Sequence, residues 1–330
     1  MRAQGVGSRV RRVTRLAGAL LCAAAAACGG PPGAAPDVLT ILAPASPGGG
    51  WDQTARAMQA ALQQDGAGGS VRVVNVAGAG GTIGLAQFVN AGQERGHTVL
   101  VTGLIMVGAV LTNRSAVTLE QTTPIARLTG DYELLVVPTD SPYDTLDAFV
   151  DAWKRDPGAL AIAGGSAGGT DHMLAGLLAA RVGLDPTAVN YVPHSGGGES
   201  IASILGGQVR AGINGVSELA PFVEAGRLRA LAISSAERLP GRPYPTFREQ
   251  GVDLTLTNWR GVVGPPNLPD DRRAALRARI DALQESPAWQ ATLTRNGWID
   301  LHLSGPAFEA FLQEERTRAA AVLDSIGLLQ

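Results

Sequence analysis

Lysine is almost missing from this chain. Lys154 is the only one, and arginine supplies every other basic side chain. Cysteine occurs twice, at Cys22 and Cys28, and aromatic residues make up only 5% of the sequence. Each scarcity excludes something. If the N-terminal segment is removed on export, Cys28 is the only thiol left and no disulfide can form. Few aromatics and 43 glycines mean that backbone turns, not an aromatic cage, shape any binding site. His97, His172, His194 and His302 are widely spaced, with no His-Glu-x-x-His pattern and no cysteine partner, so no metal is expected. Gly78-x-Gly80 is followed by Ile83 where a dinucleotide fingerprint needs its third glycine, so no nucleotide cofactor is expected either.

What is present is a chain of 330 residues, 45% of them hydrophobic, enough for about two domains with a sizeable core. The formal net charge of −2 is unevenly placed. Five of the 27 basic residues and none of the 29 acidic ones fall within residues 1–27, so the remainder carries 22 basic against 29 acidic residues, a net of −7. That charge, without a basic block, argues against nucleic acid as a partner. An anion bound here has to be held by local geometry against an unfavourable overall field.

The N-terminus has the layout of an export signal. Arg2, Arg9, Arg11, Arg12 and Arg15 precede an apolar run, Leu16 to Ala27, that is shorter than the roughly 20 residues a membrane span requires. It ends at Ala25-Ala26-Ala27-Cys28-Gly29, which resembles the lipobox of bacterial lipoproteins, with Ala25 where leucine is usual. Residues 1–27 are therefore expected to be a lipoprotein signal peptide, Cys28 the lipidated residue, and residues 28–36 a flexible Gly/Pro/Ala tether. No later run is long and apolar enough to cross a membrane.

From there strand, glycine-rich turn and helix alternate, which predicts α/β organisation with parallel strands. Val38–Pro44 reads as a strand, followed by Pro47-Gly48-Gly49-Gly50 and a helix over Asp52–Gln64. Val71–Val76 reads as a second, followed by Gly78-Ala79-Gly80-Gly81 and a helix over Ile83–Ala91, then a strand at Thr98–Thr102. Leu134–Val137, Leu160–Ala163, Val189–Pro193 and Leu228–Ile233 read as further strands, with helices over Leu146–Lys154, over His172–Val182 and up to Leu205. Asp270 to Gln330 reads as mainly helical. There are thus two sets of equivalent loops at strand carboxyl ends, where open α/β sheets bind ligands.

The first two loops carry the chemistry. Pro47-Gly48-Gly49-Gly50-Trp51-Asp52 and Ala79-Gly80-Gly81-Thr82 each follow a strand and open a helix. Each therefore presents unpaired N–H groups at the positive end of a helix dipole, with glycine where a side chain would block approach. Neither loop contains Lys or Arg. Asp52 suits a helix N-terminus, and Trp51 reads either as the wall of a pocket or as packing between the lobes. Gly164-Gly165-Ser166-Ala167-Gly168 also matches the G-x-S-x-G nucleophile elbow, with His302 downstream. A secreted serine esterase using Ser166 is thus a competing reading, although no His-Gly-Gly oxyanion motif accompanies it.

Taken in order, these motifs resemble the tripartite tricarboxylate transporter substrate-receptor family, the TctC-like or Bug receptors. The resemblance runs from Pro47-Gly48-Gly49-Gly50-Trp51-Asp52 through Gly78–Gly84, Ser166–His172, Tyr191-Val192-Pro193, Gly206-Gly207-Gln208-Val209 and Ala225–Ala232 to Trp259-Arg260-Gly261. It implies a type II periplasmic-binding-protein fold. Two lobes, each a mostly parallel sheet flanked by helices, would hinge between residues 37–137 with 261–330 and residues 138–260. It implies an exported, membrane-anchored, non-enzymatic monomer that captures a small di- or tricarboxylate, citrate-like, for a large and a small integral membrane subunit. An orphan carboxylate sensor is the remaining alternative. The second-lobe contacts it implies are Ser166, Gly168, Gly169, Thr170, His172, His194, Ser195 and Gly196. This chain has His194-Ser195-Gly196 where relatives often carry Tyr-Lys-Gly, which removes one cation from that side.

Overall fold

Leu39–Ala43 forms the first strand, β1, and all five residues are buried. A strand covered on both faces needs a continuous apolar run, not an alternating one, and Leu-Thr-Ile-Leu-Ala comes close to that. In the computed structural model the described residues are 38–64, 69–92 and 97–329. The expected signal peptide, lipidation site and tether lie outside them. After β1 come α1 (Gly50–Gln64), β2 (Val71–Asn75), α2 (Thr82–Ala91), β3 (Thr98–Gly103), α3 (Leu104–Thr112) and a long β4 (Thr123–Pro138). A second series follows: α4 (Leu146–Arg155), β5 (Ile162–Gly164), α5 (Thr170–Arg181), β6 (Tyr191–Pro193), α6 (Gly197–Leu205), β7 (Ala211–Gly215), α7 (Val216–Glu224) and β8 (Leu228–Ile233). The chain closes with β9 (Thr257–Gly264), α8 (Asp270–Glu285), α9 (Pro287–Asn296), β10 (Ile299–Ser304) and α10 (Pro306–Ser325).

Two mixed sheets share β4. In the first, β2, β1 and β3 run parallel, β9 lies antiparallel between β3 and β4, and β10 pairs with the outer side of β4. In the second, β6, β5 and β7 run parallel, and β4 lies antiparallel between β7 and β8. β4 changes sheets in mid-strand: Tyr132 still pairs with Thr257 of β9, whereas Glu133 pairs with Gly215 of β7. The fold is thus two α/β lobes joined through one continuous strand. The parallel strands carry the turns that face the other lobe, and the antiparallel pairs are those made by the crossing strands.

Each lobe has its own core. Leu42, Met58, Phe88, Leu100 and Trp289 belong to the first, and Phe149, Trp153, Leu178 and Phe247 to the second. Burying one such side chain contributes about 1.5–3 kcal/mol. A further cluster spans the lobes: Leu104 and Val107 of α3 and Met173 of α5 pack with Trp259, Phe308 and Leu323. The α3 helix was not expected from the sequence. Leu-Ile-Met-Val-Gly-Ala-Val-Leu-Thr is apolar on every side, so it carries no amphipathic period, because it is buried between neighbours. β7, Ala-Gly-Ile-Asn-Gly, escaped for the opposite reason: two glycines and one β-branched residue give little strand signal. Local chemistry fixes the approach to β10. The Ser286 hydroxyl accepts from the Trp289 N–H (3.2 Å), Pro287 opens α9, and left-handed Gly297 ends it, which delivers Trp298 to the face of Arg260.

Candidate functional site

Turns from the two lobes meet across a narrow cleft. Gly49, Gly50 and Trp51 line it from the turn after β1, and Gly80 and Gly81 from the turn after β2. Ser166 lines it from the turn after β5, and Ser195 with Gly196 from the turn after β6. Its free volume is about 50 Å³, well under the roughly 300 Å³ at which small-molecule pockets begin.

The first turn is locked from behind by Asp52. Its carboxylate accepts from the Gly48 N–H (2.8 Å), Arg56 Nε (2.9 Å) and Asn75 Nδ2 (2.9 Å). Burial pushes its pKa up, but the bonds to Arg56, Gly48 and Asn75 outweigh this and leave it below the ordinary range. Gly49 N–H is also occupied, donating to the Ser46 carbonyl at 3.1 Å. The N–H groups that open α1, from Gly50 onward, are the ones a helix leaves unpaired. Pro47 and Gly48 lie exposed outside the cleft, and Asp52 holds the turn without lining it.

The second turn has four consecutive positive φ angles: Gly78 128°, Ala79 48°, Gly80 63° and Gly81 87°. The Ala79 carbonyl accepts from the Thr82 hydroxyl (2.9 Å) and Asn113 Nδ2 (3.3 Å), so Thr82 also braces the turn. A Cβ on Gly81 would stand 2.6 Å from Trp51 Cζ3, so glycine there lets the indole wedge between the two turns. Trp51 is buried, and its Nε1, which lies beside Gly103, has no hydrogen-bond partner among the described residues.

On the opposite lobe Gly169 N–H donates to the Ser166 carbonyl (2.9 Å) and Gly168 N–H to His172 Nδ1 (3.2 Å). His172 stacks on Tyr191 with centroids 4.0 Å apart, and burial pushes its pKa down to about 4. It is a neutral prop for the turn and does not line the cleft. Thr170 is fully buried beneath the turn. His194 turns Nδ1 to the Gly164 carbonyl (3.2 Å), which makes Nδ1 the donor, and it lines a shallower neighbouring opening with Ala79, Ser166 and Ser195. His302 is bonded to Asp281 at 2.9 Å on β10, away from Ser166.

Beneath these turns lies a group of side chains that the sequence reading missed. Arg260 of β9 is 1% exposed. Its Nη2 lies 3.2 Å from Asp131 Oδ2, and Nη1 lies 3.4 Å from Thr54 Oγ1. Its Nη2 would also stand 2.6 Å from a Cβ on Gly50, so only glycine lets the guanidinium reach the floor of the first turn. Glu133, Asp171 and Glu218 complete the group: the first two are buried, and Glu218 is half-buried with its Oε1 shielded from water. Burial, then the other carboxylates, push Glu133 well above its ordinary value. Burial raises Asp171 to about 6, against hydrogen bonds from Gly165 N–H and the Glu133 carboxyl. Burial raises Glu218 to about 7, with Arg260 opposing. The signal for this group was present in spacing: Asp131 and Glu133, and Asn258 and Arg260, stand two apart within their strands, which puts each pair on one face. Their meeting depends on the β4–β9 register, in which Asp131 pairs with Asn258 and Thr129 with Arg260.

A carboxyl whose folded pKa is raised holds its proton longer folded than unfolded, so stability falls as pH rises from about 4.5 to about 7 at Glu218. Glu218→Gln keeps the shape and removes the charge. Thermal unfolding is expected to show the variant more stable than the parent near pH ~8 and no more stable near pH ~4. A difference independent of pH would count against a strained charge at Glu218.

Two lobes with facing strand–turn–helix loops over a shared cleft define a solute-binding protein of the periplasmic type. The periplasmic binding protein BugD has the same fold, with a TM-score of 0.80 at 22% identity over 88% of this chain and 98% of that one. MatC of Rhodopseudomonas palustris, solved with bound malate, gives 0.77 at 26% identity over 87% and 98%. Within that class, the family described as "Tripartite tricarboxylate transporter family receptor" matches residues 54–328, and the chain belongs to it. Protein BugT of Bordetella pertussis (strain Tohama I) is 29% identical over 296 residues, 88% of this chain and 89% of that one.

Proposed function

We propose that this chain is an exported solute-binding receptor that takes a small carboxylate into the cleft and presents it to the large and small membrane subunits of a tripartite tricarboxylate transporter. The carrying observation is that two helix-opening turns from one sheet, Gly49–Trp51 and Gly80–Gly81, converge on one cleft with the buried Arg260 behind the first. Unpaired N–H groups at helix starts attract anions. A hydrogen bond to a charged group contributes about 1.5–3 kcal/mol, so about four approach the roughly 8 kcal/mol of a micromolar complex. The malate bound by MatC, whose fold this chain shares at 26% identity, supports the same chemistry. A cleft of about 50 Å³ admits such a molecule only when the lobes part. We take the lobes to divide where β4 changes sheets at Tyr132–Glu133 and just before Thr257, a few residues before the expected bounds of 137/138 and 260/261, because Glu133–Pro138 pair in the second sheet and β9 pairs in the first. Calorimetry of the purified protein against four- to six-carbon acids and their alcohols tests the reading: saturable binding confined to the acids is expected, and binding to none of them would end it.

The reading makes the protein a receptor and not a hydrolase. Ser166 has no histidine hydrogen bond among the described residues, and a fluorophosphonate probe is expected to leave it unmodified, whereas stoichiometric labelling would restore the esterase. The anchor is proposed from sequence alone. Cys28→Ala is expected to move the protein from the membrane to the soluble fraction after export. A parent protein already soluble would remove the lipid anchor from the account.

A further inference from the structure

The two sides of the cleft differ in chemistry. The first-lobe side offers donors, namely the N–H groups opening α1 from Gly50, the Gly80 N–H and Arg260, whereas the Gly81 N–H is spent on the Gly78 carbonyl at 3.0 Å. The side built around the second lobe adds a group of acceptors to the hydroxyls of Ser166 and Ser195. Asp171 Oδ2 is held by the Gly165 N–H at 2.6 Å and Asn214 Nδ2 at 3.3 Å, and it lines the cleft. Asn258 is 3% exposed, and its Nδ2 donates to Glu133 Oε1 at 2.9 Å. That bond orients the amide, so Asn258 Oδ1 is left without a donor in a residue that lines the cleft. Glu218 also lines the cleft, and its Oε1 is buried against Gly197 with no donor. Glu133 stands behind, its Oε2 without a donor from another side chain unless its own proton bridges to Asp171.

Two features of this wall point to a ligand. Buried acceptors in proteins are almost always satisfied, yet Asn258 Oδ1 and Glu218 Oε1, in residues that line the cleft, have no donor among the described residues. The charges are also unbalanced. Among the described residues Asp131, Glu133, Asp171 and Glu218 share one cation, Arg260, which is committed to Asp131 and lies on the first-turn side under Gly50. A carboxylate set against Asp171, Glu218 and Asn258 Oδ1 would meet like charge and acceptors, although Ser166, Ser195 and the N–H groups opening α6 at Gly197 line the cleft beside them, whereas a group with N–H donors would satisfy the orphan oxygens.

We propose that Asp171, Glu218 and Asn258 Oδ1 select a ligand whose far end is a hydrogen-bond donor, an ammonium or amide group, over one that ends in a second carboxylate. This rests on the carboxylate reading above for the near end, and it narrows the ligand class from the di- and tricarboxylates implied by the family resemblance to amino- or amido-carboxylates. A matched series isolates the far end: succinate, succinamate and 4-aminobutanoate, with adipate, adipamate and 6-aminohexanoate as the longer set. Titration of the full protein near pH ~8, where the acids are charged, is expected to give an amide or amine at least about tenfold tighter than the diacid of the same set. Glu218→Gln, whose amide can itself donate, is expected to shrink that ratio at least about tenfold by tightening the diacid. Each tenfold step corresponds to about 1.4 kcal/mol. A diacid that binds as tightly as its amide and amine in the parent, or a ratio unmoved by Glu218→Gln, would overturn the proposal while leaving the carboxylate reading standing. Binding of none of the six would instead remove the carboxylate reading, and the proposal with it.

Discussion

Arg260→Met is expected to cost about 3–5 kcal/mol of folding stability near pH ~8, the usual loss when one partner of a buried ion pair is removed. Among the described residues Arg260 is the charge that lowers Asp131, Glu133, Asp171 and Glu218 together. Without it the four carboxylates keep their burial and lose their common counter-charge. They can escape by taking up protons, so the loss is expected to shrink toward pH ~5 as the raised pKa values are reached. Denaturant unfolding at the two pH values measures this. Adding Asp131→Asn to the variant removes the acid in direct contact, 3.2 Å away, and is expected to recover part of the stability. Equal losses at both pH values, or no recovery in the double variant, would show that Arg260 acts by packing against Trp298 and not by charge.

Gly49→Val is expected to weaken carboxylate binding at least about a hundredfold, or about 2.8 kcal/mol, with circular dichroism unchanged. The residue lines the cleft but has an ordinary backbone conformation, and a Cβ there would meet only the Ser46 carbonyl at 3.3 Å and the Ala45 Cβ at 3.7 Å. The fold therefore tolerates a side chain at a point where a branched one covers the N–H groups opening α1. Gly80→Val is a poorer probe, because Gly80 has φ +63° and Ala109 blocks a side chain. Gly50 is excluded by the Arg260 guanidinium in the same way. Calorimetry on Gly49→Val settles the matter: near-parental affinity would move the carboxylate off the first turn.

Legibility in the sequence follows the range of the interactions. The strand–glycine turn–helix units after β1, β2, β5 and β6 are local, and their residues suffice to place them. β4 was read only as Leu134–Val137, because its first half is fixed by β9 and β10, more than a hundred residues away. The same division holds at the cleft. Gly49–Trp51, Gly80, Gly81, Ser166, Ser195 and Gly196 do come together on one cavity. Asp52, Thr82 and His172 sit in the same motifs, but their polar groups are spent on the turns themselves. The sequence contains no cation in the first two loops, and from that the clamp was expected to be backbone alone. Arg260 arrives under the first turn from a strand some two hundred residues later, and the acidic wall is assembled from β4, α5 and α7. No local pattern contains that meeting.

The central claim is that one carboxylate sits on the helix-opening turns of the first lobe. The backbone amide spectrum of isotope-labelled protein, titrated with succinamate, reads those turns residue by residue. The largest shifts are expected at the backbone N–H groups of Gly50, Trp51 and Gly80, saturating together. Shifts that leave these unmoved and fall on the apolar groove of Val107, Leu119 and Leu312 would contradict it.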